Sequence, residues 1–269
     1  MGRCRTHFNI TCPRYPRTSE KELPLWLLSV TAKSPTLDRV ASGRRCRPTT
    51  SNTCQNVEFV NLPLGLMMSG SGDHERFLHF NTTGIVSLIY DLEDGYSSEI
   101  ALVGNQEMVG ISIFMGGESM PSYMVAQSAG TAFRLSRKIA KQEFSKGGKM
   151  QHLSLLFTQA LMTQTSQTAV CNQHHSLEQQ LCRWLLMSVD RLHTNKLVIT
   201  QELIGNLLGV RRETVTGAAS KMRVDGLVTY ARGRITVVGR AGLEDRVCEC
   251  YATVKGEYDR LLPHSHGTD

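Results

Sequence analysis

No apolar run in the 269-residue chain reaches the roughly 18 residues that a membrane-crossing helix needs. The longest candidate, residues 23–30, is short and interrupted by Pro24, so no membrane partner is expected. A recognisable secretory leader is also lacking ahead of the eight cysteines at positions 4, 12, 46, 54, 171, 182, 248 and 250. Scattered thiols without such a leader are expected to be reduced, which points to the cytoplasm. Acid is scarce at the start: residues 1–54 hold 10 Lys and Arg against 3 Asp and Glu, a local charge of +7. The overall +6 therefore comes from that segment and is by itself poor evidence for a nucleic-acid partner. Residues 1–55 also lack hydrophobic periodicity and are expected to be poorly structured. Their Arg-rich, acid-poor composition has something of a transit peptide, and an unusual leader or a mis-assigned start fits equally well.

The rest reads as globular: the whole chain is 41% hydrophobic, and its length is enough for two cores. Residues 56–137 alternate short apolar runs with turn signals. Asp94-Gly95 predicts a hairpin, and Gly104-Asn105 and Gly116-Gly117 mark further turns. This spacing predicts a β-barrel or sandwich. Residues 138–172 turn helical, with Leu153, Leu156, Phe157, Ala160, Leu161 and Gln164 at helical spacing. That helix carries more apolar surface than one small barrel covers, so a second subunit's helix is its expected partner, although packing on its own domain alone is the plainer alternative. A second helix is predicted over Leu177 to Leu192 and a last one over Gly242 to Leu262.

The most informative stretch is TQELIGNLLGVRRETVTGAASKMRVDGLV, residues 200–228. Thr200 suits a helix N-cap, Gly205 a close helix crossing, and Gly209 a turn that needs positive φ. Ile204, Leu208, Val210, Val215 and Ala218 keep helical apolar spacing. This is a helix-turn-helix pattern, against which an ordinary helical hairpin is the plain alternative. VTYARGRITVV then reads as two short strands forming a wing around Arg232-Gly233-Arg234. Residues 211–240 hold seven bases against Glu213 and Asp225, a local +5 suited to phosphate.

A barrel, a long helix and a winged helix-turn-helix, in that order, resemble the Crp/Fnr family of bacterial transcription regulators. The likeness rests on ITQELIGNLLGVRRETVTGAASKMRVDGLV, GRITVV and VGISIFMGGESMPSYMVAQSAGTAFRLS, and spans about residues 57–262. It implies an α+β chain: a cyclic-nucleotide-binding-like β-barrel of the jelly-roll kind (56–137), a dimerisation helix (138–172) and a winged helix-turn-helix domain (173–262). It implies a homodimer on a double-stranded DNA operator, with RNA polymerase admitted as a further partner and a small-molecule effector of unknown identity. Val210 to Asp225 would be the recognition helix. Arg212 and Glu213 match base-reading positions, which suits an Arg fork on guanine and a carboxylate on cytosine. Arg211, Thr214, Thr216, Lys221, Arg232, Arg234 and Thr200 complete the expected DNA-binding set, several as phosphate contacts.

The chain departs from the family at several points. A third base-reading arginine is replaced by Gly217. In the effector pocket (Gly110, Ile111, Pro121, Ser122), Ile111 and Pro121 stand where cyclic-nucleotide members carry a Glu and an Arg. Without that arginine the cyclic phosphate has no partner, so cyclic AMP is not expected to bind tightly. Cys4, Cys12, Cys46 and Cys54 are too widely spaced for the family's iron–sulfur cluster, and His74 and His79 are isolated, so no cofactor is expected. Cys171, His174, His175 and Cys182 could hold zinc or act as a thiol sensor, or remotely as a thiol nucleophile with a histidine base. They straddle two helices, however, and no metal is expected. Cys248 and Cys250, one residue apart on a predicted helix, are expected to face apart. An enzyme is not the expected reading. A protein-binding winged helix is a further alternative.

Overall fold

The computed structural model describes residues 56–262 except Gln106, His193 and Arg232. The expectations for residues 1–55, their four cysteines included, lie outside the described residues.

Eight strands and one helical turn come first among the described residues: β1 (Val57–Leu62), β2 (Met67–Ser69), β3 (Phe77–Thr83), β4 (Val86–Asp91), β5 (Ser97–Val103), β6 (Met108–Val109), α1 (Ser112–Met115), β7 (Tyr123–Ala126) and β8 (Gly130–Ser136). They make two four-stranded sheets, ordered β1-β8-β3-β6 and β2-β7-β4-β5, with antiparallel pairing. The sheets do not close into the expected barrel. Two of the four edge strands, β2 and β6, are only 3 and 2 residues long, which leaves little ladder with which to bridge the sheets. Leu78, Phe80, Leu88, Leu102, Met124 and Leu135 from both sheets are buried in one core. The β4–β5 hairpin turns where predicted: Gly95 has φ 86°, and the Asp94 carboxylate accepts from Tyr96 N–H at 3.1 Å.

The helical stretch expected over 138–172 is two helices, α2 (Arg137–Ser145) and α3 (Lys149–His174). Gly147 and Gly148, at φ 72° and 82°, break it, because two successive left-handed residues cannot continue an α-helix. The buried face of α3 carries Met150, Ser154, Phe157, Leu161, Gln164, Thr168 and Cys171. A second stripe, His152, Leu155, Gln159, Met162, Ser166, Ala169 and Gln173, repeats at steps of three and four and is largely exposed. α4 (Leu177–Leu192) follows and opens on a capping box: Ser176 N–H donates to Gln179 Oε1 at 3.0 Å, and Gln179 N–H to Ser176 Oγ at 3.4 Å.

The last segment contains β9 (Lys196–Val198), α5 (Gln201–Leu208), α6 (Arg212–Val224), β10 (Val228–Ala231), β11 (Arg234–Val237), α7 (Arg240–Glu244) and α8 (Glu249–Leu261). The strands pair antiparallel in the order β10-β11-β9. The single helix expected over 242–262 is thus also two, parted at residues 245–248. Among the described residues no helix is long and apolar enough to cross a membrane.

Candidate nucleic-acid interface

α5 starts on Thr200, whose extended backbone and side chain form an N-cap: Leu203 N–H donates to its Oγ1 at 3.2 Å. The helix ends on Gly209 in the left-handed region, at φ 65°. Gly205 lies where α5 meets the start of α6. A Cβ there would sit 2.9 Å from the Val210 carbonyl oxygen and 3.4 Å from the Arg212 nitrogen. The two helices therefore cross at a distance only glycine permits. Ile204, Leu207 and Leu208 from α5 and Val215, Ala219 and Met222 from α6 fill the space between them and are all buried.

Burying that face turns the other face of α6 outward. Arg211, Arg212, Glu213 and Thr214 are all exposed at its N-terminal end, with Gly217, Ser220, Lys221 and Arg223 further along. Arg211 is the N-cap and supplies no side-chain cap to the helix, so the N-terminal amides of α6 stay available to an anion. Arg211, Arg212, Arg223 and Arg234 take part in no ion pair among the described residues.

Two expected contacts have other duties. Thr216 Oγ1 lies 2.8 Å from Gln201 Oε1 and 3.0 Å from the Arg212 carbonyl, so it ties α6 to α5. The Lys221 ammonium is paired with Glu178 at 3.0 Å on an exposed surface, a link too weak to prevent a change of partner. Sequence reasoning missed Arg246, whose Nη1 lies 2.7 Å from Asp225 Oδ2 at the end of α6 and 3.3 Å from Glu178 Oε1. It fastens the outward helix to α4. No sequence spacing signals such a bond.

The wing forms as predicted. β10 and β11 pair Ala231 with Arg234, and Gly233 turns at φ 73°. Ile199 N–H donates to the Gly233 carbonyl at 2.9 Å, which brings the wing beside Thr200. Arg234 is exposed at the start of β11; Arg232 lies outside the described residues.

The four residues of the expected effector pocket, Gly110, Ile111, Pro121 and Ser122, include no basic side chain. Gly110 has φ 103°, and Ile111, buried, precedes α1. Beside them is an acid: Glu75 Oε2 is 3.4 Å from where a Gly110 Cβ would lie, and it accepts from Ser112 Oγ at 2.5 Å. Glu75 is buried, which raises its pKa above the ordinary carboxylate value, although the Ser112 bond opposes the shift. At the other end the Pro121 carbonyl accepts from Ser71 Oγ at 2.6 Å, and the buried hydroxyl of Ser122 has no partner among the described residues.

The cysteine–histidine expectation changes membership. His174 is exposed, and Cys182 is buried outside the group. Cys171 and His175 instead meet Cys248 and Cys250, their ligand atoms all within 4.8 Å of one another. The sequence argument that Cys248 and Cys250 face apart fails because Cys248 is not helical. It caps α8 with φ −74° and ψ 163°, and this extended residue swings its side chain toward that of Cys250. Burial pushes the Cys171 thiol up to about 12, against the pull of Arg183.

Residues 179–246 match the family model of the Crp-like helix-turn-helix domain. No curated protein matches the sequence. Several solved structures share the fold. FixK2 from Bradyrhizobium japonicum has a TM-score of 0.62 at 16% identity, over 71% of this chain and 98% of that one. A CRP-family transcriptional regulator from Thermus thermophilus gives 0.60 at 18%, over 70% and 95%. The c-di-GMP-responsive global regulator CLP from Xanthomonas campestris gives 0.55 at 16%, over 69% and 95%.

Proposed function

Starting from a Crp-like helix-turn-helix domain borne on the Crp/Fnr fold, we propose that this chain is a sequence-specific DNA-binding transcription regulator and not an enzyme. The observation that carries the reading is the two-faced α6. Val215, Ala219 and Met222 lock one face, while Arg212 and Glu213 stand exposed at its N-terminal end. In this reading Arg212 reads guanine and Glu213 accepts from cytosine. Arg211, Thr214, Thr200 and the wing's Arg234 hold phosphates, with Lys221 joining them after leaving Glu178. Thr216 sets the distance between the helices.

The regulator acts as a homodimer joined along the exposed stripe of α3. Leu155 and Met162 are 53% and 63% exposed, and with Ala169 they recur every seven residues, as one side of a coiled-coil seam does. The operator then consists of two half-sites centred about 10 base pairs apart. The effector is not cyclic AMP. Pro121 offers no cation, and the Glu75 carboxyl stands beside Gly110 where a phosphate would have to approach.

Selection of bound sequences from random duplex DNA tests the reading. A two-fold symmetric site with that spacing is expected. Enrichment of no sequence, with binding that depends on salt alone, would refute it.

A further inference from the structure

We propose that Cys171, His175, Cys248 and Cys250 form a closed zinc site that pins the end of α3 to the start of α8. The four side chains come from two elements far apart in sequence: the last turn of α3 with its C-cap residue, and the N-cap and first turn of α8. Their ligand atoms lie within 4.8 Å of one another, close enough for one ion to draw them in. Bonds of about 2.3 Å to sulfur and about 2.0 Å to nitrogen at tetrahedral angles set sulfur–sulfur edges of about 3.8 Å and sulfur–nitrogen edges of about 3.5 Å. Cys171 Sγ and Cys248 Sγ are 3.6 Å apart, and Cys250 Sγ and His175 Nδ1 are also 3.6 Å apart. A donor set of three thiolates and one imidazole around one centre favours zinc over the harder oxygen-seeking cations.

The surroundings match what a zinc site needs. His175 directs Nδ1 inward, and its Nε2 lies 3.4 Å from Glu249 Oε1, which is the carboxylate–histidine arrangement that fixes a ligand's tautomer. Gln180 Nε2 donates to the His175 carbonyl at 2.9 Å and to that of Cys171 at 3.4 Å, which fixes the backbone of two ligands. Three thiolates and a neutral imidazole leave a zinc centre with one net negative charge. Buried Arg183 lies near enough to act electrostatically on both Cys171 and Cys250, and it supplies the opposite sign. All three cysteines are buried, so no position is left open to water or substrate, and the ion is structural.

The site sits where the long helix meets the DNA-binding domain. Without the metal, weak thiol contacts and the partly exposed His175–Glu249 pair would be left to join the two segments at this point. Zinc would fix the last helix of that domain on the helix proposed to pair the subunits.

The test measures metal in the untagged full-length protein after zinc loading and desalting, without DNA, so its result is independent of the regulator reading. One zinc per chain is expected, with X-ray absorption showing three sulfur ligands and one nitrogen. Cobalt(II) in its place should give the thiolate charge-transfer and intense d–d bands of a tetrahedral centre. Cys182→Ala should keep the full zinc content. Cys248→Ser should lose it, and Glu249→Ala should bind about 10–100-fold more weakly. Wild-type protein that retains no zinc, an oxygen-dominated ligand set, zinc unaffected by joint Cys248→Ser and Cys250→Ser substitution, or a Cys171–Cys248 disulfide in protein purified without oxygen would each overturn the proposal. The wild-type cobalt spectrum keeps the test decisive if a variant fails to fold.

Discussion

Arg212 and Arg234 are both exposed arginines, but their positions give them different expected consequences. Arg212 stands on α6 and Arg234 on the wing. Arg212→Ala should cost about 1–3 kcal/mol of operator affinity and relax preference at one base pair. Arg234→Ala should weaken all sequences alike and lower the slope of log affinity against log salt by about one. Fluorescence anisotropy across a salt series, with operator and scrambled duplexes, reads both. Equal losses on both duplexes for Arg212→Ala would remove it from base reading. Glu99 gives a pH prediction of the same scale. It is buried in β5, where burial raises its pKa to about 7 against the hydrogen bond from Trp184 Nε1 at 3.0 Å. In the unfolded chain the group deprotonates near 4.5. Between these values the folded state holds a proton that the unfolded state has lost, so stability falls as pH rises through the window, by about 3 kcal/mol at most. Urea unfolding at several pH values should show that decline in the wild type and a flatter profile in Glu99→Gln. An unchanged slope in the variant would assign the effect elsewhere.

At the scale of elements, much of the architecture was legible in the sequence. The hairpin at Asp94-Gly95, α4, the Thr200 cap, the Gly205 crossing and the Gly209 turn rest on local chemistry, and local chemistry is what sequence spacing records. What was missed depends on backbone states or distant pairing. Gly147-Gly148 breaks the expected helix ahead of the apolar spacing that begins at Leu153, and such spacing records side chains and not φ. The expected helix breaks over residues 245–248, and Cys248, extended at ψ 163° as the cap of α8, brings together two thiols expected to diverge. The helix crossing gives a direct prediction. Gly205→Ala places a methyl 2.9 Å from a backbone carbonyl that cannot rotate away. It should destabilise the domain by about 1–3 kcal/mol and weaken DNA binding with it. Gly217→Ala on the same motif meets nothing within 4 Å and should not destabilise. The comparison of the two melting temperatures separates crossing geometry from helix propensity. The proposed subunit seam is tested in the same way: Met162→Glu should yield a monomer by analytical ultracentrifugation, while the core of its own chain, which Met162 does not enter, stays folded.

Across the whole molecule, the sheets and the helix-turn-helix domain are joined by a buried polar knot that no local pattern announces. Arg191 of α4 lies 3.1 Å from Glu107, just before β6, and donates to Gln164 of α3 at 2.8 Å. Tyr258 of α8 donates to the same Gln164 oxygen at 3.1 Å, and its ring lies 4.9 Å from the Arg191 guanidinium. Gln164 Nε2 in turn donates to the Leu102 carbonyl of β5 at 3.1 Å. Gly104 lets Arg191 pass, since a Cβ there would lie 2.3 Å from that of Arg191. Arg191 and its partners therefore tie α3, α4, α8 and the sheets together. A buried ion pair does not by itself guarantee stability, but removing one member strands the other in a low-dielectric interior. Arg191→Ala should accordingly lose about 3–5 kcal/mol, far more than an exposed arginine costs. Removing the knot also uncouples the parts it joins, so calorimetry of the variant should resolve two transitions where the wild type gives one. A single transition, merely lowered, would mean that the apolar contact between α3 and α8 carries the coupling and that Arg191 only fills space.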